Sequence, residues 1–474
     1  MSYQVPQHID PNKVFLVNLS QLEGRLDPSI YKPHFSFVSK KYKNAKLSEI
    51  AWIDPLCNFG ESNEVSFIPM DAIDSTNGTV AYQGTKKVED SKGFTRFREG
   101  DILWAKITPC MQNAKSAIAK NLLNGFGCGS TEFYVIRTKD ENIVRQEYLL
   151  FLLRDERILS TAMNFFGGSA GQQRVSSIFL KTFNVPIPSI QEQKNICDIL
   201  AKYSSLKQRK EQQAKDLLQS IDDYLLGELG IQLPETKSQT IQDRMFVVNY
   251  SELSGDRLDP IFYAADIKKI IHCTYSECIS SLALSCNSGF AVGRQDQVEE
   301  TNGILQIRPT NIDNNGQLKY DKNVYVPQNE GIQFLPSGVV LFNNTNSQEW
   351  VGKTAYFSNE EKRNVYISNH ITAINVDKSK ILPMYLSEIL NMYQRHKVFY
   401  SICTNWNNQS GIGLDLLSIL HIPLFTDDRQ RSLVKQQEIV DHISSIRQQA
   451  KALQEEGKAI LEQAKKEVEQ MILG

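Results

Sequence analysis

Among 474 residues there is no Cys-x-x-Cys pair, no Pro-Pro and no apolar run long enough to cross a bilayer. Each gap removes a class of protein. The eight cysteines, at 57, 110, 128, 197, 273, 278, 286 and 403, lack the spacing of a zinc ribbon or a thioredoxin-like redox motif. In so long a chain they read as reduced thiols rather than a disulfide scaffold. His272, Cys273, Cys278 and Cys286 would make four metal ligands, but their spacing suits no compact zinc knuckle and ordinary half-buried thiols fit better. Without Pro-Pro, the Asn/Asp-Pro-Pro-aromatic motif of amino-group DNA methyltransferases is excluded. No GxxxxGK[ST] occurs, since Gly352-Lys353-Thr354 lacks the upstream glycine, so there is no standard phosphate-cradling loop. HExxH is missing, and seven scattered histidines define no Ser–His–Asp set. The first residues, MSYQVPQHIDPNK, are polar and lack the apolar core of a secretion signal. The expectation is a cytoplasmic chain that no membrane holds.

Charge of one sign is also lacking. Fifty-two basic residues face 54 acidic ones, a net −2, which excludes a polycation that coats any phosphate chain but leaves local patches open. Residues 1–190 carry 22 basic and 19 acidic side chains, and residues 231–430 carry 17 and 21. With 41% hydrophobic and 22% charged residues the chain can bury sizeable cores, and its length predicts about three compact pieces.

What the chain does have is a repeat. VNLSQLEGRLDPSIY at 17–31 recurs as VNYSELSGDRLDPIFY at 248–263. Gly100 and Lys115 match Gly338 and Lys353, fifteen residues apart in both copies. The same offset of 238 sets Ser130 on Ser368 and Phe133, Val135 and Ile136 on Ile371, Ala373 and Ile374. At 237, Tyr148-Leu149 falls on Tyr385-Leu386 and Asn184-Val185-Pro186 on His421-Ile422-Pro423. An offset that nearly holds over so long a stretch marks a diverged tandem duplication.

Each copy runs into a long helical pattern. Ser189 with Glu192 forms a capping box, apolar residues then fall at 196, 199, 200, 203 and 206 and at 214, 217, 218, 221, 224 and 225, and Gly230 and Pro234 end the run. The second pattern spans about Arg429 to Leu473, with apolar positions 443, 446, 450, 453, 460, 464, 468 and 471 at coiled-coil spacing. Near-equal charges, six basic against seven acidic for 191–230 and seven against seven for 431–474, suit solvated outer faces. Forty helical residues extend about 60 Å. Antiparallel pairing of the two helices is preferred over burial of each against its own domain.

Residues 102–105, 133–136, 339–342 and 371–374 read as strands, while 148–159 and 384–393 have helical spacing. The fold class is therefore α+β, used twice: domain 1–188, helix 189–233, domain 234–428 and helix 429–474, the helices forming an antiparallel coiled coil.

Asp71 with Asp90 and Lys92 faintly imitates a metal-dependent nuclease set, but a solvated polar turn is the preferred reading. The stronger signal is amide-rich loop chemistry. Lys106 and the stretch Thr108–Lys115, with Gln112 and Asn113, follow the first strand run. The equivalent stretch of the second copy holds Asn343, Asn344, Asn346, Ser347, Gln348 and Lys353. A second pair of loops offers Gly168, Ser169, Gln172, Gln173 and Arg174 in one copy and Asn405, Trp406, Asn407, Asn408 and Gln409 in the other. An amide presents a donor beside an acceptor, which suits the major-groove edge of adenine, whereas Arg and Lys suit guanine or phosphate. Equivalent loops with different letters are what two readers of different words require. Polar loops are ordinarily just loops, and recurrence at equivalent places weighs against that here.

With the duplication, the helices and the loops together, the chain resembles the specificity subunit of type I restriction–modification systems. The residues that carry the resemblance are GDILWAKITPCMQNAKSA (100–117), GSTEFYVIR (129–137), GGSAGQQR through FNVPIPSIQEQKNI (167–196), and a degraded second copy from 412 to 440. The resemblance implies two target-recognition domains, each reading half of a bipartite, asymmetric site in double-stranded DNA, set apart by helices that act as a spacer. It implies no catalytic activity and no cofactor in this chain. Two modification subunits would bring S-adenosylmethionine and methylate adenine N6, and two restriction subunits would add ATP-driven translocation and Mg²⁺-dependent cleavage. The alternatives are the recognition subunit of a system whose methylation and cleavage share one partner polypeptide, a coiled-coil scaffold that binds protein, and a stand-alone nuclease.

Overall fold

The central strands Ile102–Ala105 and Val339–Asn343 are buried at every position, and apolar but for Asn343, because both faces are covered. The computed structural model describes residues 38–168, 172–231, 275–406 and 409–473, with a few isolated positions elsewhere. The repeated stretches 17–31 and 248–263, together with His272 and Cys273, lie outside the described residues. The chain divides into two compact units, one made of residues 1–210 and 455–474 and the other of residues 211–454. Each unit thus holds one globular domain with facing stretches of both long helices.

In the first unit four antiparallel strands stand in the order Ala51–Ile53, Phe133–Thr138, Ile102–Ala105, Ser116–Ile118. Side chains alternate across a strand. Leu103, Ala117, Phe133 and Val135 therefore face one way, into a core with Ile68, Ile73 and Phe97. Those partners belong to, or flank, a second sheet ordered Gly84–Lys87, Glu64–Ile68, Phe126–Gly129, Thr95–Arg98, whose middle pair is parallel. Ile102, Trp104, Ile118 and Ile136 face the other way, onto the helices Gln146–Leu153, Glu156–Met163 and Ser177–Thr182.

The second unit repeats this order strand for strand: Ala283–Ser288, Ile371–Val376, Val339–Asn343, Thr354–Phe357. Val339, Leu341 and Ile371 face a smaller sheet containing the parallel pair Ile304–Ile307 and Val365–Ile367. Val340, Phe342 and Ile374 face the helices Pro383–Arg395 and Val398–Ile402. A short strand leading into each domain pairs with the strand before each long helix: Lys43–Lys46 with Asn184–Ile187, and Ser276–Cys278 with His421–Pro423. In both, a buried tyrosine hydroxyl donates to the proline carbonyl of that last strand, Tyr148 to Pro186 (3.0 Å) and Tyr385 to Pro423 (2.9 Å). The duplication is thus an equivalence of topology as well as of letters.

The long helices span Ile190–Glu228 and Arg429–Leu473. The capping box forms as expected: the Ser189 amide donates to the Glu192 carboxylate (3.0 Å) and the Glu192 amide to the Ser189 hydroxyl (3.3 Å). Gly230, at φ +64°, closes the first helix, where a residue with a Cβ would be strained. In the first unit Ile196 shares a core with Val468 and Ile472, Tyr203 donates to Glu467 (3.5 Å), and Lys210 pairs with Glu456 (2.8 Å). In the second unit Ile221 and Leu225 share a core with Ile439 and Ile443, and Lys435 pairs with Glu228 (2.7 Å). No helix among the described residues is long and apolar enough to cross a membrane.

Candidate nucleic-acid interface

Two loops that the sequence separates by about sixty residues meet in each unit. In the first, the Thr108 amide donates to the Gln173 carbonyl and the Val175 amide to the Lys106 carbonyl, both at 2.9 Å, while Ile107 bridges Arg174. In the second, Thr345–Asn346 pairs with Gln409–Gly411, which pairs in turn with Thr404–Trp406. The ladder hydrogen bonds hold each pair of loops as one surface.

On the first surface Gln112, Asn113, Gly168 and Gln172 are exposed, while Lys106, Thr108 and Gln173 are half-buried. The Lys106 ammonium lies 5.1 Å from the centre of the Tyr134 ring, and the buried Thr108 hydroxyl has no hydrogen-bond partner among the described residues. The Gln112 amide reaches the Met163 sulfur (3.2 Å). Arg174 is exposed yet engaged: its guanidinium makes two bonds to Glu132, at 2.8 and 2.9 Å. Those bonds hold the Glu132 carboxyl below its ordinary pKa and raise that of Arg174. Ser169 lies outside the described residues.

On the second surface Ser347, Asn405, Trp406 and Gln409 are exposed, and Asn346 and Gln348 are half-buried. The Asn346 side-chain oxygen accepts from the Ser347 amide (2.8 Å), Gln348 donates to the Tyr400 carbonyl (3.0 Å), and Asn405 accepts from the Ser410 hydroxyl. Asn407 and Asn408 lie outside the described residues.

Four of the expected contacts turn inward instead. Asn343 is the repeat partner of Ala105 and, like it, is the last residue of its strand, so it sits in the sheet opposite Ile371 as Ala105 sits opposite Phe133, and it is wholly buried. Its side-chain NH₂ donates to the Trp350 carbonyl (3.1 Å). Asn344, also buried, donates to the Thr372 hydroxyl (2.9 Å) and the Asn369 carbonyl (3.2 Å). Lys115 and Lys353 each stretch across to a carbonyl at a short 3₁₀ turn, Lys115 to Met70 (3.0 Å) and Lys353 to Ile312 (2.8 Å). Burial pushes the Lys353 ammonium below its ordinary pKa. These four side chains are struts that shape the loops rather than tips that meet a ligand.

Next to each joined-loop surface is a turn that a search for repeats would have found: Ile-Asp-Ser-Thr-Asn-Gly at 73–78 and Ile-Asp-Asn-Asn-Gly at 312–316. In each, the aspartate side chain accepts from backbone amides, Asp74 from Thr76 (2.8 Å) and Asp313 from Asn315 (2.8 Å). Of the imitated nuclease residues, Asp71 takes the Tyr82 hydroxyl and Asp90 lies in the 3₁₀ turn Val88–Ser91.

Each head thus carries two polar loops joined into one surface, and the chain can be compared with known proteins. Residues 39–218 match the family described as "Type I restriction modification DNA specificity domain". The chain is 35% identical over 221 residues to the Type I restriction enzyme EcoAI specificity subunit of Escherichia coli, covering 46% of this chain and 36% of that one. It is 37% identical over 199 residues to the EcoEI specificity subunit of the same organism, covering 42% and 32%. The similarity thus spans about a third of the length of these curated relatives. A solved structure described as concerning complex assembly and conformational transition of the type I R-M system contains a chain of like fold, with TM-score 0.52 and 15% identity, covering 93% of this chain and 98% of that chain. Residues 39–218, less than half of the chain, are thus similar to type I restriction DNA specificity domains.

Proposed function

We propose that this chain is the DNA specificity subunit of a type I restriction–modification complex, working in the cytoplasm and without catalysis of its own. Each head reads one half of a bipartite, asymmetric site in double-stranded DNA through its pair of joined loops. The observation that carries this reading is the duplication itself. Two heads have the same strand order but different side chains on the equivalent exposed loops, Gln112, Asn113 and Gln172 against Ser347, Asn405, Trp406 and Gln409. A good bidentate base contact contributes about 1–3 kcal/mol of discrimination, so a few per head make a selective reader.

The two long helices pair as an antiparallel coiled coil and set the number of unread base pairs between the half-sites. Contacts within each unit support this: partners fall in number along one helix as they rise along the other, Tyr203 with Glu467 then Lys210 with Glu456, and Tyr224 beside His442 then Glu228 with Lys435. Two modification subunits and two restriction subunits dock on this chain and bring S-adenosylmethionine, ATP and Mg²⁺, which no residue here is assigned to bind. Mapping N6-methyladenine across the genome of the source cell tests the reading. One two-part motif with a constant gap, lost when this gene is deleted, is expected; a contiguous motif, or a two-part motif that survives the deletion, refutes it.

A further inference from the structure

Helix Gln146–Leu153 ends in an arginine that makes no salt bridge among the described residues, and the second unit places an asparagine at the same point of its repeat. The Arg154 guanidinium donates to four backbone carbonyls: Ala114 (2.7 Å) and Ser116 (3.1 Å), which flank the end of the first reading loop, and Ser75 (2.7 Å) and Thr76 (3.2 Å), in the aspartate turn. In the second unit Asn391, buried in helix Pro383–Arg395, grips Thr354 with both ends of its amide, donating to the carbonyl (2.8 Å) and accepting from the amide (2.9 Å). Thr354 is the repeat partner of Ser116 and Asn391 that of Arg154, at offsets of 238 and 237.

The turns close on the same two side chains. Gly78 and Gly316, also 238 apart, are both buried and both have positive φ, +68° and +72°. A methyl group built at Gly78 would come within 2.9 Å of the Arg154 guanidinium, and one built at Gly316 within 2.1 Å of the Asn391 amide nitrogen and 2.9 Å of the Thr354 carbonyl. Each glycine is therefore required twice, for its backbone conformation and for the close approach of the polar side chain. The arginine joins two backbone segments, whereas the asparagine grips one and packs against the other.

We infer that Arg154 and Asn391 are equivalent positioning residues that lock the aspartate turn of each head to the strand after its reading loop, and so set the sequence preference of that head alone. The inference rests on the DNA-reading function proposed above. It makes Arg154 and Asn391 specificity determinants without any base contact of their own, since a loop displaced by an ångström no longer presents its amides to the groove edge.

The test is enrichment of a randomised duplex pool by the full chain, in the complex purified from its own cells, with each half-site scored separately. Arg154→Ala should cut the preference of one half by about tenfold, the size of one lost base contact, and leave the other half unchanged; Asn391→Ala should do the reverse. Arg154→Lys, which keeps the charge but cannot span two segments with a planar fork, should fall between. Gly78→Ala displaces the guanidinium without removing it and should mimic Arg154→Ala, which keeps the test usable should the alanine variant not fold. Folded variants that enrich the wild-type motif in both halves, or that blur both halves equally, overturn the inference. If the wild-type complex enriches no motif, the DNA-reading function itself fails and the inference with it.

Discussion

The two heads have the same strand order, yet their joined polar loops are held by different chemistry. In the first, Arg174 anchors one loop to Glu132 and Arg154 anchors the end of the other to the aspartate turn, so guanidinium groups do the work. In the second, buried neutral side chains do it: Asn343 bonds the Trp350 carbonyl, Asn344 the Thr372 hydroxyl and Asn391 the Thr354 backbone. Residues 1–190 carry 22 basic and 19 acidic side chains, and residues 231–430 carry 17 and 21. The sheet order depends on which positions are apolar, and many sequences satisfy that. Loop geometry depends on particular hydrogen bonds, and these were solved twice in different ways.

The comparison is broken most decisively by exchange. Replacing residues 30–185 with those of a relative should replace one half-site entirely and leave the other intact, read out by mapping methylated adenines. Alteration of both halves would mean that the heads are not independent readers.

Next in size is a stability contrast. Arg447, on the second long helix, pairs with the buried Glu388 at 2.8 Å, their side chains only 16% and 8% exposed. Arg447→Ala leaves that carboxylate buried and unpaired, and should cost about 3–5 kcal/mol in urea unfolding. The matching change in the first unit, Arg157→Ala, removes bonds to Asp155 and Glu469 made by a side chain 38% exposed, and should cost about 1 kcal/mol or less. Equal costs would show that the two heads rest on their helices in the same way.

The loop side chains should divide by direction. Asn344→Ala, inside the fold, should cost about 1–3 kcal/mol of stability by leaving partners unsatisfied. Gln172→Ala, exposed on the first head, should leave unfolding unchanged and relax one base position in a binding selection.

The smallest effect is electrostatic. Glu132→Gln should release Arg174 to a phosphate and steepen the dependence of log affinity on log salt by about 1. Acid should act in the same direction. The Glu132 carboxyl is depressed by Arg174, so its contribution is present above the ordinary carboxylate pKa and lost as pH falls through the depressed value. An unchanged slope in the variant would show that Arg174 meets no phosphate.

Much of this architecture was legible because it depends on periodicity. The apolar runs Ile102–Ala105 and Val339–Phe342, the capping box at Ser189 and the apolar stripe from Ile443 to Met471 all state their structure in local spacing. The polar loops were legible as a class for the same reason, since they recur at a nearly constant offset. The direction of each polar side chain was not. Asn343 and Asn346 are three residues apart in one amide-rich stretch, yet one is wholly buried and the other half-exposed, because the strand ends between them. Lys115 and Lys353 look like phosphate contacts until the 3₁₀ turns that receive them are in place.

By itself, then, the sequence determined a duplicated α/β chain with two long helices and two sets of amide-bearing loops, because hydrophobic spacing and repetition are local properties. Only the tertiary structure decided that the loops of each set lie together, and which of their side chains are struts. Those outcomes depend on hydrogen bonds between residues tens of positions apart, such as Thr108 to Gln173 and Arg154 to Ser75, and no local pattern encodes such a meeting.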